Sequence, residues 1–333
     1  MAKIAVLLVN FGGPTKYEMV KPFLYNLFSD PVILNVSNEV RKPLAWFISN
    51  MRDFNSRIMY KCVNGSSPLI PISYLVKDKV QQLFKINNLP IDVFTAFRYC
   101  EPFIDKVLTD LKNKNYKKIV IFPMFPQYSF TTTGSVQLVV DNWLKEQNDS
   151  EFEIFFVKDW YKDNDYLEGM ARNIDRACRH VDLNSTEILF SAHSIPMFNI
   201  QNGDPYEKQI NETAKLIIDK LNWKRQWHLG YQSKVGPVKW LEPSTDSLIT
   251  ELAKSNKNLN LLVVPISFVC EHVETIYEIG KLYKDLAKKD GIKNFVRIPT
   301  LNTSKYLVQT LYNQILGCLS DNQVSTKDIL LGV

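Results

Sequence analysis

Two hydrophobic patterns alternate along the whole chain. Short apolar runs, which predict strands buried on both faces, are followed by longer segments whose apolar residues recur at helical spacing. The predicted strands are Ile4–Asn10, Val93–Phe97, Lys118–Pro123, Glu153–Val157, Glu187–Phe190, Trp227–Tyr231, Leu261–Pro265 and Phe295–Ile298. Strands that alternate with helices in this way predict an α/β fold, with parallel sheets covered by helices on both faces.

Two of these strands, in different halves of the chain, are stopped by proline. Residues 119–123 read Ile-Val-Ile-Phe-Pro and residues 261–265 read Leu-Leu-Val-Val-Pro, and each run precedes a polar loop and a helical pattern. The chain of 333 residues is also long enough for two lobes of about 150 residues each. We therefore expect two similar Rossmann-like lobes with a cleft between them. The expected division is 1–150, 151–310, and a tail 311–333 that returns to the body.

Acidic residues follow the apolar strand at 261–265. Glu271, Glu274 and Glu278 are spaced i, i+3 and i+7, so on a helix their carboxylates share one face, and His272 lies beside the first. A solvated acidic face is one interpretation. A ligand site is the other, because the acids begin where a buried strand ends, and open α/β sheets bind ligands at that edge.

A second unusual segment covers residues 31–60. Large apolar residues, among them Trp46, Phe47, Met51 and Phe54, are interleaved there with arginine and lysine. One interpretation is a helix packed on its own core. The other is an apolar lip that meets a membrane or a poorly soluble ligand.

Composition narrows the class of protein. The net charge is +5, and the basic residues are spread along the chain rather than gathered in a stripe, so nucleic acid is not an expected partner.

The five cysteines are far apart and form no CxxC pair, which argues against a zinc or iron–sulfur site and favours a reducing compartment. The apolar run at the N-terminus is too short for a signal peptide, and no segment reaches the roughly 18 apolar residues of a spanning helix. We expect a cytoplasmic protein.

One of the four histidines stands out by its position. His193 comes directly after a buried strand, at the edge where such sheets bind ligands. His180 is expected at a helix C-terminus, where it interacts with the helix dipole, and His228 falls inside a strand pattern typical of a structural histidine. A capped loop histidine remains an alternative for His193.

Five ordered motifs carry a family resemblance. They are Asn10-Phe11-Gly12-Gly13-Pro14; Pro126-Gln127-Tyr128-Ser129 with Thr132-Thr133-Gly134-Ser135; Ser191-Ala192-His193 with Gly203-Asp204-Pro205-Tyr206; Gln232-Ser233-Lys234-Val235-Gly236-Pro237 with Trp240-Leu241-Glu242-Pro243; and Pro265-Ile266-Ser267-Phe268 with His272-Val273-Glu274-Thr275. In order and spacing, from about residue 4 to about residue 310, the chain resembles the ferrochelatases. Because the sequence starts without an N-terminal extension, it resembles the bacterial type of the family.

The resemblance implies a class I chelatase-like fold and an active site in the cleft. It implies a lyase that inserts Fe²⁺ into protoporphyrin IX with loss of two pyrrole protons, giving protoheme. His193 and Glu274 take the catalytic and iron-binding positions, and Glu278 and Glu271 form a proton or metal path. The residues implied at the porphyrin are Phe11, Tyr128 and Trp240. Iron is then a substrate, with no permanently bound cofactor. No iron–sulfur cluster is expected, because Cys318 stands alone after Gly317.

Elementary chemistry agrees with these roles. Metallation removes two pyrrole protons, so a base that works near neutral pH is required, and imidazole is tuned to that range. A histidine with carboxylates also suits borderline Fe²⁺, which must be held loosely enough to be released.

Two residues depart from the family pattern. Ser194 follows the histidine where glycine is usual, and it would strain the loop if that position required a positive φ. Glu271 stands where many members carry aspartate.

Several alternatives stay open at this stage. They are a coproporphyrin III ferrochelatase, a non-catalytic heme or tetrapyrrole carrier, and a cobalt chelatase. Peripheral membrane contact through 31–60 and the oligomeric state are open as well. A nucleotide-binding Rossmann protein is disfavoured, because Asn10-Phe11-Gly12-Gly13-Pro14 lacks the GxGxxG pattern and Pro14 interrupts a phosphate cradle.

Overall fold

Parallel sheets organise the protein. The computed structural model describes residues 3–147, 152–234, 236–256 and 258–320. The strands in that part of the chain are β1 (Ile4–Asn10), β2 (Ile91–Phe97), β3 (Lys118–Pro123), β4 (Glu153–Phe156), β5 (Thr186–His193), β6 (Trp227–Gln232), β7 (Asn260–Pro265) and β8 (Asn294–Arg297). They form two four-stranded parallel sheets, in the orders β2-β1-β3-β4 and β6-β5-β7-β8. The predicted α/β fold with helix-flanked parallel sheets is confirmed.

Helices connect successive strands, as parallel pairing requires. The α-helices are α1 (Val20–Phe28), α2 (Asn38–Lys61), α3 (Leu69–Ile86), α4 (Ile104–Asn113), α5 (Ser135–Gln147), α6 (Asn164–Cys178), α7 (Met197–Gln201), α8 (Tyr206–Lys220), α9 (Thr245–Ser255), α10 (Lys284–Asp290) and α11 (Lys305–Ser320). Two π-helical segments, Phe130–Gly134 and Glu274–Tyr283, run directly into α5 and α10. No helix in the described ranges is long and apolar enough to cross a membrane.

Two compact units divide the chain, each built on one sheet. The first takes in the described residues up to Phe125, the range Ser129–Trp160 and α11 from Val308 onward. The second consists of Pro126–Tyr128 and Tyr161–Leu307. The predicted tail at 311–333 begins inside α11, and its residues 321–333 lie outside the described part of the chain.

The central strands of both sheets are buried on both faces, as their continuous apolar runs predict. In β1 every residue from Ala5 to Val9 is at most 2% exposed. In β7 every residue from Leu261 to Val264 is 0% exposed. Each sheet is therefore a rigid layer, and the side chains that follow its carboxyl edge are held in fixed positions.

A close backbone approach fixes the loop after β1. Gly12 adopts φ +83°, and a Cβ atom there would lie 2.3 Å from the Sγ atom of Cys100. Only glycine fits both conditions. The neighbouring Phe11 is consequently held against Phe125 and Tyr99, with ring centroids 4.7 and 5.4 Å apart.

Helix α2 presents its large apolar side chains to the outside. Trp46 is 59% exposed and Phe54 is 72% exposed, and Phe47 and Met51 are exposed as well. The buried residues of α2 are Ala45, Ser49, Ser56 and Tyr60. The interpretation of residues 31–60 as a helix that packs these large side chains in its own core is therefore wrong.

A buried ion pair lies at the carboxyl end of the first sheet, directly after β2. The side chain of Asp30 is 0% exposed, and its carboxylate lies 2.8 Å from Nη2 of Arg98. Tyr99 donates a hydrogen bond of 2.8 Å to Asp30, and Ser135 donates another. The charge of Asp30 is thus compensated on several sides, which a buried carboxylate requires.

Asp30→Ala is expected to lower the free energy of unfolding by about 3–5 kcal/mol, because it leaves the Arg98 guanidinium buried without its partner. Urea denaturation monitored by circular dichroism measures this change. Asp175→Ala, which removes an exposed pair with Arg179, is the matched control and should cost much less. Equal losses in the two variants would contradict the assignment.

Candidate active site

The carboxyl ends of β5, β6 and β7 bring the candidate residues together. His193 is the last residue of β5 and pairs in register with Gln232, the last residue of β6. The backbone amide of His193 donates to Ser267 Oγ at 3.0 Å, in the loop after β7. Tyr206 donates its hydroxyl to the His193 carbonyl at 2.9 Å. The backbone of His193 is therefore held from two directions.

The ring of His193 has a defined orientation. Its Nδ1 atom lies 2.6 Å from the carbonyl oxygen of Ser194. A carbonyl oxygen only accepts, so Nδ1 carries the proton of this hydrogen bond. In the neutral ring, Nε2 then holds the free lone pair, and Nε2 lies 3.8 Å from Oε1 of Glu274. The geometry thus directs a basic nitrogen toward a carboxylate.

Glu274 lies between two imidazole rings. Its Oε2 atom is 2.9 Å from Nε2 of His272, while Oε1 faces His193. The contact with Glu274 places the ring proton of His272 on Nε2, since a carboxylate only accepts. Its Nδ1 atom is buried and has no hydrogen-bond partner in the described structure. The ring of Phe268 packs 4.3 Å from that of His272 and 6.3 Å from that of His193. This apolar ring limits the freedom of both imidazoles.

Glu278 lies deeper, one turn further along the π-helical segment. Its carboxylate accepts hydrogen bonds from Ser233 N at 3.0 Å, the Ser233 hydroxyl, Gln232 Nε2 at 3.2 Å and the Tyr283 hydroxyl at 3.0 Å. Burial raises the pKa of the Glu278 carboxyl, and the charge of Glu274 raises it further, against the opposing effect of the hydrogen bonds. Glu278 therefore holds a proton more readily than an ordinary glutamate does.

Comparison with known proteins decides the family. The ferrochelatase family profile matches residues 3–317. The ferrochelatase of Trichodesmium erythraeum is 39% identical over 323 residues, which cover 96% of this chain and 83% of that protein. The ferrochelatase of Gloeobacter violaceus is 37% identical over 320 residues, covering 95% of this chain and 98% of that protein. The chain belongs to the ferrochelatase family.

Solved structures agree on the fold. SirB from Bacillus subtilis, solved with Fe³⁺, superposes with a TM-score of 0.59 at 11% identity, over 96% of this chain and 97% of SirB. CbiX, described as the terminal enzyme of siroheme biosynthesis in denitrifying bacteria, gives a TM-score of 0.51 at 12% identity, over 96% of this chain and 100% of CbiX. These structures show a chelatase-like fold. Its family membership makes the protein a ferrochelatase, a lyase of heme biosynthesis.

Glu271 lies outside the helical segment in which the sequence pattern placed it. The expectation that Glu271, Glu274 and Glu278 share one helical face is wrong for Glu271, because the π-helical segment begins at Glu274. Glu271 instead pairs with Arg297 Nη1 at 2.7 Å and accepts the Thr300 amide at 3.1 Å. The hydroxyl of Thr275 also donates to it. These contacts connect the start of the π-helical segment to the end of β8 and to the chain that follows it.

The three porphyrin candidates occupy different surroundings. Phe11 is half-buried in the first unit, against Phe125 and Tyr99. The amide of Tyr128 donates to Gln209 Oε1 at 2.7 Å, and burial raises the pKa of the Tyr128 phenol. Trp240 forms a β-bridge with Pro196, three residues after His193. The structure thus brings Trp240 to the His193 loop through the backbone.

Ser194 is accommodated without strain. It does not belong to the residues with positive φ, and its side chain is fully buried. Its hydroxyl donates to the Leu241 carbonyl at 3.3 Å, and its amide donates to the Gln232 carbonyl at 2.8 Å. Serine in place of the usual glycine is harmless here, and it supplies an additional link to the Trp240 segment.

Sequence reasoning missed Ser233 and Tyr283 as partners of Glu278. Ser233 adopts φ +66°, a left-handed conformation that directs both its amide and its hydroxyl to one carboxylate. Tyr283 follows Glu278 by five residues, which is the hydrogen-bonding interval of a π-helix and not of an α-helix. The motif containing Gln232 and Ser233 was the only available signal, and it does not reveal this contact.

The raised pKa of Glu278 predicts a pH dependence of stability. The folded state binds the Glu278 proton more tightly than the unfolded state, so the wild type loses stability as pH rises through the window above the ordinary carboxyl pKa of 4.5. Glu278→Gln removes this loss. Its stability relative to wild type should therefore be higher at about pH 8 than at about pH 4, as measured by chemical denaturation. A difference that is independent of pH would contradict the assignment.

Proposed function

We propose that the enzyme inserts Fe²⁺ into protoporphyrin IX and that His193 and Glu274 carry the chemistry. The supporting observation is the 3.8 Å approach of His193 Nε2 to Glu274 Oε1, with His193 Nδ1 bonded to the Ser194 carbonyl. A neutral imidazole whose free lone pair faces a carboxylate can accept a pyrrole proton, and the carboxylate stabilises the imidazolium that results.

The reaction releases two protons, and the site offers successive acceptors for them. In the proposed sequence His193 Nε2 takes a pyrrole proton, and Glu274 and Glu278 pass protons away from the macrocycle. The raised pKa of Glu278 suits a carboxyl that alternates between its protonated and ionised forms. Ser233 and Tyr283 remain hydrogen-bonded to Glu278 and keep it in position through the exchange.

Iron enters this scheme as substrate. The described residues contain no group of three or more His, Cys, Asp or Glu side chains arranged as a metal site. Fe²⁺ would therefore have few protein ligands, namely Glu274 and, before His193 Nε2 accepts a proton, His193. Few ligands suit an ion that must be handed on to the four nitrogens of a porphyrin. We further propose that no iron–sulfur cluster is required, because the five cysteines are far apart in the sequence and Cys318 is the only one that follows Gly317.

The remaining site residues support binding and positioning. We assign Phe11, Tyr128 and Trp240 to contact with the macrocycle, since an apolar planar ligand favours aromatic side chains. The ion pair of Glu271 with Arg297 gives Glu271 a positioning role for Glu274 rather than a place on the proton path. Coproporphyrin III remains the alternative substrate, and competition between the two porphyrins distinguishes them.

His193→Ala is expected to lower the rate of heme formation at least about 100-fold, because it removes the base. The assay mixes enzyme, Fe²⁺ and protoporphyrin IX without oxygen and follows heme absorbance. His228→Gln is the control, since His228 lies at the amino end of β6 and bonds to Glu187 at 2.7 Å. Heme formation that survives His193→Ala would contradict the proposed roles. Heme binding without turnover in the wild type would indicate a carrier.

We also propose that the enzyme is cytoplasmic and that it contacts membranes peripherally through α2. Phe47, Met51 and Phe54 are exposed apolar side chains on this helix, which also carries Arg52 and Arg57. Exposed apolar residues beside basic ones are typical of helices that lie in a membrane interface.

Replacing Phe47, Met51 and Phe54 together by serine should weaken binding to vesicles of phosphatidylcholine and phosphatidylglycerol at least about tenfold, since each large side chain contributes about 1.5–3 kcal/mol when buried. Vesicle co-sedimentation measures the binding. The control is Ile86→Ser, because Ile86 is 67% exposed but lies outside α2. Equal sedimentation of the triple variant and wild type would rule out α2 as the contact.

A further inference from the structure

The second sheet has an open edge at β8. In the order β6-β5-β7-β8, only one side of β8 is paired with another strand of the described chain. Asn294 N donates to Leu259 O at 3.3 Å and Ile298 N donates to Val263 O at 2.8 Å, both toward β7. Because directions alternate along a strand, the amides of Phe295 and Arg297 face away from β7. Four residues of strand, about 13 Å long, are thus available for pairing.

A cavity of about 630 Å³ runs along this edge. Its walls come from the end of α6, from α10 and from residues 292–296. Ile292, Phe295 and Val296 supply apolar surface to it. The volume falls in the range of ordinary ligand sites, about 300–1,000 Å³.

The rim of the cavity is strongly basic. Lys284, Lys288, Lys293 and His180 line it, and within the described ranges none of them has a carboxylate within 4.0 Å. The single acid in the lining, Asp285, pairs with Lys281 at 2.9 Å and also interacts through its charge with Lys288 and Lys284. With three lysines and one carboxylate, the rim still has an excess of positive charge.

This location is separate from the chemistry. His193 is at the carboxyl end of β5, whereas Asn294 is at the amino end of β8. Since the strands are parallel, the two residues lie at opposite ends of the strands, His193 at the carboxyl ends and Asn294 at the amino ends. The proposed porphyrin and iron ligands do not account for the basic rim.

We propose that this groove binds an extended acidic segment of a partner protein, which adds to the sheet as a strand beside β8. The backbone of the segment pairs with the outward amides and carbonyls of β8, and carboxylates at every second residue meet the lysines. A second copy of this chain is disfavoured, because two basic rims would repel each other. Lysines beside an edge strand can also protect it from pairing with other chains. In that case the acidic peptide described below would not bind.

The probe is a labelled peptide of alternating glutamate and valine, capped at both ends, titrated with the full-length enzyme and followed by fluorescence anisotropy. Saturable binding that weakens as salt is added is expected. The variant Lys288→Glu with Lys293→Glu should weaken binding at least about tenfold, because it reverses the charge of the rim. Lys289→Glu is the matched control, since Lys289 is exposed on α10 but outside the cavity, and it should change affinity by less than about twofold.

A second peptide separates strand addition from simple charge attraction. It has the same sequence with N-methyl groups on alternate amides, so its charge is unchanged but one edge cannot donate hydrogen bonds. Binding about tenfold weaker than that of the unmodified peptide is expected if a strand is added. Equal binding of both peptides, displacement by inorganic tripolyphosphate at the same affinity, or no binding at all would overturn the proposal. Heme formation should be unchanged in both lysine variants, so this outcome is independent of the catalytic assignment.

Discussion

Parallel pairing of β5 with its two neighbours is the constraint on which the site depends. All strands of a parallel sheet end at the same edge, so the side chains after β5, β6 and β7 must meet there. The register fixes His193 opposite Gln232 and brings Ser267 to the His193 amide. The centre of β7 is fully buried and therefore rigid, so the loop and the π-helical segment that follow it start from a fixed position.

The electrostatics of the site follow from one arrangement of charges. Glu274 lies between two imidazoles, and Glu278 is half-buried behind it and accepts four hydrogen bonds. Loss of solvent around Glu278 raises the pKa of its carboxyl, and the charge of Glu274 raises it further, so the deeper carboxyl retains a proton more readily. A base, a carboxylate that stabilises its charged form and a second carboxyl that can store a proton are the elements that porphyrin metallation requires.

The extent to which sequence predicts this structure differs between elements. The strands were predictable because β1, β3, β5 and β7 are short apolar runs stopped by asparagine, proline or a polar loop, and their burial on both faces leaves no other arrangement. The family resemblance, together with their positions after β5 and β7, predicts that His193 and Glu274 lie close together, and their atoms approach to 3.8 Å. Their roles in the reaction stay predictions. The roles of Ser233 and Tyr283 were not, since they depend on a left-handed serine and on π-helical spacing, and neither leaves a periodic trace in the sequence. The position of Glu271 was mispredicted because α-helical spacing was extended across a segment that begins only at Glu274.

The central claim is that His193 and Glu274 act as one unit, and a double-mutant cycle on heme formation tests it most directly. The rates of His193→Ala, Glu274→Gln and the combined variant are compared with wild type under single-turnover conditions without oxygen. Residues that act together show strongly non-additive losses, so the combined variant should be no slower than the worse single variant. Losses that multiply would show that the two residues act independently and would contradict the account.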